Sequence, residues 1–388
     1  MYNNILEFIY SFEPYSPQAI IIYALSFVFL IQMIYYWIFF RKLAFYKEKK
    51  SDTNLQAVSV VVCAHNEFQN IREFLPMILE QDYPNYEVIL VNDDSDDNTE
   101  FLLIDLKAKY PHFKVAKTNR TVSFVRGKKF PLSVGIKLAQ NPVVLLTDAD
   151  CYPQSKNWIR GMMSAYADEK TEFVLGYGKY EKKPGLLNRL VRYDTLHTGI
   201  QYLSAAIGGR PYMGVGRNLS YTKDIFVKNK GLTSHYKIPF GDDDLFVNKY
   251  AHKRNTSISI SSDAHTVSIP PRNFKSWFRQ KKRHLAASKH YKFSTKIRTG
   301  TYGLSAFLFH VLTIIAVVFS FSNYFLCSII GFIYIFRLSS QLVIFYKSAK
   351  KLEEKGLWFR APIYDFYFSV LNPIWMFSNY IIKENVWK

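Results

Sequence analysis

The sequence predicts an α/β domain, a mostly parallel sheet covered by helices on both faces, tethered at each end to a membrane. Three observations carry this. Between residues 51 and 300, short apolar runs alternate with helical patterns, the signature of buried parallel strands. Long uncharged runs flank that region on both sides. Carboxylates gather directly after two of the apolar runs, although the 388-residue chain is basic, with a formal net charge of +19.

The first element is an N-terminal transmembrane anchor over residues 1–50, with its span at about 19–40. Ala19 to Phe40 is uncharged for 22 residues, about 33 Å as a helix and long enough to cross a bilayer. Arg41, Lys42, Lys47, Lys49 and Lys50 follow it, and positive residues stay on the cytoplasmic side, so the N-terminus is expected outside. A cleaved signal peptide is not expected: no positive segment precedes the run and no small-residue site follows it.

Residues 51–272 are expected to form one cytosolic domain. Val58–Cys63 reads as its first strand, Ile71–Leu79 as a helical stripe and Tyr86–Val91 as the second strand. Thr99–Lys109 reads as helix and Phe113–Ala116 as a short strand. Gly127–Gln140 reads as a helix with Pro131 in its first turn, where a missing N–H costs nothing. Val143–Thr147 reads as strand, Trp158–Ala167 as helix and Glu172–Tyr180 as strand.

Residues 273–300 mix basic side chains with Phe274, Trp277, Phe278, Leu285 and Tyr291, the pattern of an amphipathic segment lying on anionic lipid. Residues 301–388 return to the membrane. Gly303–Phe321 and Tyr324–Tyr346 read as a hairpin of spans turning at Ser322-Asn323, and Lys347 to Arg360 put the next loop inside. A possible third span, 361–382, is interrupted by Asp365, Asn372 and Pro373. Arg337, inside the second helix of the hairpin, reads either as a snorkelling cation or as a contact for a phosphate or glycan.

Hydrophobic residues make up 49% of the chain and aromatic residues 17%, high for a purely soluble protein. Cys63, Cys151 and Cys327 are too few and too scattered for a disulfide framework or a zinc site. The positive charge lies beside the membrane segments, which points to membrane lipids and not to nucleic acid as a partner.

Asp148-Ala149-Asp150 follows a strand directly. Mg²⁺ or Mn²⁺ takes hard oxygen ligands, usually one or two carboxylates with substrate phosphates and water. Acids at the ends of parallel strands line the crevice where such sheets bind ligands. Asp148 and Asp150 are therefore candidate metal ligands for a metal-held diphosphate; the competing reading is an acidic turn. Asp93 and Asp94 end the second strand and are candidates for a nucleoside, while Asp96 and Asp97 suit capping of the next helix. Asp242-Asp243-Asp244 precedes a helical stretch, Leu245–Ala251. These acids either serve that helix's dipole or supply, as Asp243, a general base for an acceptor hydroxyl. Gln280 and Arg283 lie in the basic stretch, with Arg283 a candidate diphosphate clamp. Lys128 is a candidate for a phosphate contact or a solvated helix end. The glycines at 208–209, 214 and 216 read as a tight loop near an acceptor or as ordinary turns, and His65 and His265 as ordinary polar residues.

In this order the pieces resemble the membrane-associated family 2 glycosyltransferases, with their GT-A nucleotide-sugar (Rossmann-like) fold. Val-Val-Cys-Ala-His-Asn-Glu (61–67) resembles that fold's opening strand and Asn-Asp-Asp-Ser (92–95) its nucleotide-contacting turn. Thr-Asp-Ala-Asp (147–150) resembles its metal motif, and Gly-Asp-Asp-Asp-Leu (241–245) the Glu-Asp motif whose second acid is the base, here Asp243. Gln-Lys-Lys-Arg-His (280–284) resembles the Gln-x-x-Arg-Trp motif of cellulose, chitin and hyaluronan synthases and of ceramide glucosyltransferases. The resemblance covers roughly residues 57–290. It implies an inverting, metal-dependent hexosyltransferase of a bacterial cytoplasmic membrane. Its donor would be a nucleotide sugar, taken as a UDP-sugar, bound by Asp93, Asp94, Lys128, Asp148, Gln280 and Arg283. Its acceptor would be a membrane-associated lipid or glycan. A processive polysaccharide synthase is the alternative within the same chemistry, and a non-catalytic membrane subunit with a degenerate transferase domain the alternative outside it. His284 stands where those families carry Trp, at the acceptor end, which argues against processive synthesis.

Overall fold

Strands buried along nearly their whole length must be covered on both faces, and the architecture follows from that. The computed structural model describes residues 15–48, 55–120, 127–236, 238 and 240–381; Lys49, Lys50 and Ile382, named above, lie outside them. Strand β1 (Val58–Ala64) is buried along its whole length inside a seven-stranded sheet, between β2 and β4. The spatial order is β3-β2-β1-β4-β8-β6-β9. Here β2 is Tyr86–Asp93, β3 Phe113–Thr118, β4 Val143–Asp148, β6 Phe173–Leu175, β8 Leu219–Thr222 and β9 Thr256–Ile258. The first four of these neighbours run parallel, and β8 runs antiparallel to both β4 and β6. A second sheet joins β5 (Cys151–Pro153), β10 (Thr266–Ser268) and β7 (Gly178–Tyr180).

Alternation along β1 splits the core. Val60 and Val62 face α2 (Phe68–Leu79), α3 (Thr99–Lys109) and α5 (Trp158–Met163), through Ile71, Leu75, Leu103 and Trp158. Val61 and Cys63 face α4 (Lys129–Leu138), where Gly135 lets helix and sheet touch: a Cβ there would stand 2.6 Å from Val61 Cγ1. α4 is shorter than the predicted 127–140. Gly127, at φ +101°, precedes it in a left-handed conformation, and Ala139 leaves the helix with ψ 130°.

The expected single strand 172–180 is two strands in two sheets. The chain breaks at Gly176-Tyr177, where Asn218 intervenes. Its amide nitrogen donates to Tyr177 O at 3.0 Å, and a Cβ on Gly176 would lie 2.4 Å from that atom. Helix α6 (Leu186–Ile207) has no counterpart among the predicted elements. It is buried on nearly every side, polar Asn188, Arg192, Thr195 and Ser204 included, so its sequence lacks an amphipathic stripe.

Among the described residues, three helices are long and apolar enough to cross a membrane: α1 (Pro17–Ala44), α10 (Phe293–Ser320) and α11 (Tyr324–Lys351). α10 begins well before the predicted Gly303. Between α10 and α11 the Asn323 side chain caps α11 by accepting from Leu326 N at 3.1 Å. The expected segment 273–300 is divided between α9 (Phe274–Ser288) and the start of α10, and Trp277 of α9 is buried against Phe368 and Trp375 of α12 (Ala361–Ile381). Arg337 neither snorkels nor opens to a ligand: its guanidinium is buried and donates to Asp365 of α12, to Gln32 of α1 at 3.2 Å and to Gln341 at 3.3 Å.

The core on the α4 face of the sheet does not stop at the α/β domain. It runs on through Tyr36, Phe40 and Leu43 of α1, Phe345 and Leu352 at the end of α11, and Tyr364, Phe368 and Trp375 of α12. Beyond α11 two acids lock this junction. Glu354 accepts from Arg192 Nε and Nη2 at 3.1 and 2.6 Å, with Tyr177 OH at 3.3 Å. Glu353 meets Lys179 Nζ at 3.2 Å, the Gln154 amide and, at 3.8 Å, His265. Gln154, Lys179 and His265 all lie in or beside the small sheet.

Candidate active site

Parallel pairing brings the acidic turns to one edge. Cys63 of β1 lies opposite Asp148 of β4, and Ala64 opposite Asn92 of β2, so both acidic turns leave the sheet at its carboxyl end. Lys128, at the start of α4, forms an ion pair with Asp148 Oδ1. Burial pushes the Asp148 carboxyl up, but Lys128 outweighs it and holds the group below the usual carboxylate range. Asp150 goes the other way, raised by burial and by the charge of Asp148. Oxygens of these two acids and the sulfur of Cys151 lie within 4.8 Å of one another. The oxygens suit a hard divalent ion; the thiol does not. Burial keeps Cys151 protonated, and its Sγ lies 2.9 Å from Ser268 Oγ and donates to Asp150 Oδ1 at 3.3 Å.

The neighbouring strand end forms a second group. Asp93 turns inward, accepting from Thr118 Oγ1 at 2.7 Å and from Arg120 Nε at 2.9 Å. Arg120 also reaches His65 Nε2 at 2.8 Å, and His65 Nδ1 bonds Asp93 O at 2.7 Å, so this histidine fastens two strand ends together. Asp94 is exposed, in the left-handed region at φ +57°. Asp97 caps twice, accepting from Phe68 N and Thr99 N at 3.1 Å each, whereas Asp96 enters through its backbone N–H, which donates to Asn66 Oδ1.

The three consecutive acids separate by environment. Asp244 is buried and accepts from Tyr291 OH at 2.9 Å, a structural bond. Asp243 is half-buried and accepts from Gly216 N–H and from Asp244 N–H at 2.8 Å. Burial and the neighbouring Asp242 raise its pKa to about 6. The Gly214–Gly216 loop is thus the support of Asp243: a Cβ on Gly216 would stand 3.1 Å from Asp243 Oδ2. Lys128 ties this group to the first, since its charge acts on both Asp148 and Asp242.

α9 supplies the remaining candidates. Gln280 and Arg283 are three residues apart, on one face of the helix. Gln280 donates to Tyr180 OH at 2.8 Å. Arg217 lies against that same tyrosine, its guanidinium carbon 4.5 Å from the ring centroid. Sequence reasoning missed Arg217; the only signal was a lone cation directly after Gly216. His284 is exposed and within electrostatic reach of Lys281, Arg283, Arg217 and Asp148.

Residues 59–226 match the family model described as glycosyl transferase family 2. Over 278 residues the chain is 27% identical to a probable glycosyltransferase, YdaM, of Bacillus subtilis, covering 69% of this chain and 64% of that protein. It is 30% identical over 129 residues to the poly-beta-1,6-N-acetyl-D-glucosamine synthase of Staphylococcus epidermidis, covering 32% of this chain and 30% of that one. The chain therefore spans less than two-thirds of the length of either relative. The mannosyltransferase PcManGT from Pyrobaculum calidifontis, solved with GDP-Man and Mn²⁺, shares the fold at a TM-score of 0.57 and 19% identity, over 87% of this chain and 99% of that one. The acidic turns at the carboxyl edge of the sheet thus sit in a domain that matches the family 2 glycosyltransferase model and shares the GT-A fold, in a chain that also bears helices of membrane-spanning length.

Proposed function

We propose that the chain is an inverting glycosyltransferase that moves a sugar from a nucleotide-diphosphate donor to a hydroxyl of a membrane-associated lipid or glycan. One observation carries this: a carboxylate pair fit for a hard metal and a separate carboxylate lifted towards neutrality both lie within the field of Lys128. A general base needs a pKa near its working pH, and Asp243 meets that condition where an ordinary aspartate would not.

Asp243 would take the proton of the acceptor hydroxyl. The acceptor oxygen then attacks the anomeric carbon, and the bond to the diphosphate breaks with its electron pair leaving on the nucleotide. Single displacement inverts the anomeric centre. Asp148 and Asp150 would hold Mg²⁺ or Mn²⁺, which when bound supplies charge neutralisation on the diphosphate. Lys128, Gln280 and Arg283 would line the diphosphate. Asp94 would meet the nucleoside from its exposed position, and Asp93 would hold Arg120 and Thr118 beside it. The Pyrobaculum neighbour was solved with GDP-Man and Mn²⁺, which supports a nucleotide sugar and a divalent metal as a class; a UDP-sugar is the donor expected here.

The cytosol-facing domain and the outside N-terminus rest on charge asymmetry around α1 and α11, and the bacterial cytoplasmic membrane on the likeness to bacterial relatives. The likeness to a polysaccharide synthase over about a third of the chain favours, as a second reading, addition to a growing glycan. The test is release of nucleoside diphosphate by detergent-purified full-length protein from a panel of nucleotide sugars, with and without Mn²⁺ or Mg²⁺, lipids and glycans supplied. Metal-dependent release from one donor, abolished in Asp243→Asn and Asp150→Ala, is expected. Absence of release from every donor would favour a non-catalytic subunit.

A further inference from the structure

Arg217 belongs to no motif, yet it is among the most deliberately seated side chains near the acids. Its backbone is clamped between the two sheets: its carbonyl accepts from Thr147 Oγ1 of β4 at 3.1 Å and from Thr266 Oγ1 of β10 at 3.0 Å. Its side chain runs over Gly178, where a Cβ would stand 2.7–2.8 Å from Cγ, Cδ and Nε, so only glycine leaves that track open. The guanidinium ends on the face of Tyr180, whose hydroxyl is fixed by Gln280. Nε is buried and has no hydrogen-bond partner among the described residues. The charge of Arg217 acts on Asp148, on Asp150 and on His284, which places it between the acids and α9.

The charge balance says what such a cation is for. Without a metal, Asp148 and Asp150 answer Lys128 and Arg217. Once a divalent ion occupies the carboxylates, this group of charges turns net positive: Lys128 keeps only Asp242 as an answering acid, and Arg217 loses both of its own, with Arg283 beside His284 on α9. A site of this kind demands a multiply charged anion, and its planar donor fork matches phosphate oxygens. From this we infer that Arg217 binds the distal phosphate of the nucleoside diphosphate and stabilises it as leaving group. The inference rests on the transferase reading above and adds to it a residue that none of the motifs contains.

The experiment is calorimetric titration of the detergent-solubilised full-length protein with UDP, GDP, UMP and GMP in the presence of Mn²⁺. It compares wild type, Arg217→Met and Arg217→Lys, with Mn²⁺ alone as a separate titration. Loss of one charge-assisted contact should weaken the preferred diphosphate about tenfold to a hundredfold in Arg217→Met. The matching monophosphate and Mn²⁺ alone should change by less than about threefold, and Arg217→Lys should recover part of the loss. Equal weakening of mono- and diphosphate, weakened binding of Mn²⁺ alone, or no weakening at all would overturn the inference while leaving the transferase reading intact. Wild-type protein that binds no nucleoside diphosphate with Mn²⁺ would instead overturn the transferase reading and, with it, this role. Arg217→Lys keeps the cation in its seat, so a folding failure of Arg217→Met does not block the test.

Discussion

The pH dependence of turnover should report Asp243. The perturbations are Asp243→Asn and Asp242→Asn, and the readout is initial rate of nucleoside diphosphate release from pH 4.5 to 8. Burial and the Asp242 charge raise the Asp243 pKa to about 6, against the opposing pull of two backbone N–H donors, Gly216 and Asp244, and of Lys128. A base works only when deprotonated. With a pKa of about 6, about a tenth of the sites are competent at pH 5 and about nine-tenths at pH 7. The rate should therefore climb through pH 6 and level above it. Asp242→Asn removes the charge that disfavours ionisation and should move the rising limb to lower pH. Asp243→Asn should cost about 10² to 10⁴ in rate, about 3–5 kcal/mol of barrier, and abolish the limb. Linkage gives the group the opposite sign in stability. A carboxyl raised in the folded state stabilises fully below its unfolded pKa, and that contribution is lost as pH rises through about 6. Rate and this share of stability thus run in opposite directions across one window. A rising limb that stays in place in Asp242→Asn, or that persists in Asp243→Asn, would refute the assignment.

Three further outcomes follow from contacts elsewhere in the fold and at the metal-fit acids. Glu354→Ala strands the Arg192 guanidinium, which is 6% exposed, and should cost about 3–5 kcal/mol in detergent unfolding. Glu353→Ala, removing a carboxylate 35% exposed, should cost about 1 kcal/mol or less, and equal losses would count against the burial argument. Mn²⁺ binding followed by electron paramagnetic resonance should vanish in Asp150→Asn and survive in Cys151→Ser; loss in the serine variant would make the thiol a ligand after all.

Much of the fold was legible because buried parallel strands leave a mostly apolar run, as in Val58–Cys63, Tyr86–Val91 and Val143–Thr147, and because acids directly after such runs fall at the carboxyl edge of the sheet. The helix over Thr99–Lys109 falls where its pattern placed it. What escaped was decided by contacts distant in sequence. The break at Gly176 depends on Asn218, and α6 hides because a helix buried on all sides has no polar face to mark its period. The three acids at 242–244 are chemically identical on paper; only Tyr291 and Gly216 tell Asp244 from Asp243. Arg217 was invisible for the same reason, since its seat is made by Thr147, Thr266, Gly178 and Tyr180 from four other segments.

The shared core has a consequence for how the protein comes into being. A chain emerging from the ribosome folds its early domains first, as units. Here part of the α/β domain's packing comes late in the chain: Arg192 pairs with Glu354, and the face of α6 packs with Phe345, Tyr364 and Phe368. All of these are translated after the last strand, and two of them lie on a helix beyond α11. The cleft should therefore be completed only once the final helices have been delivered and seated. A chain in which those helices are not seated would then lack the proposed activity, and synthesis itself would tie that activity to the packed helices.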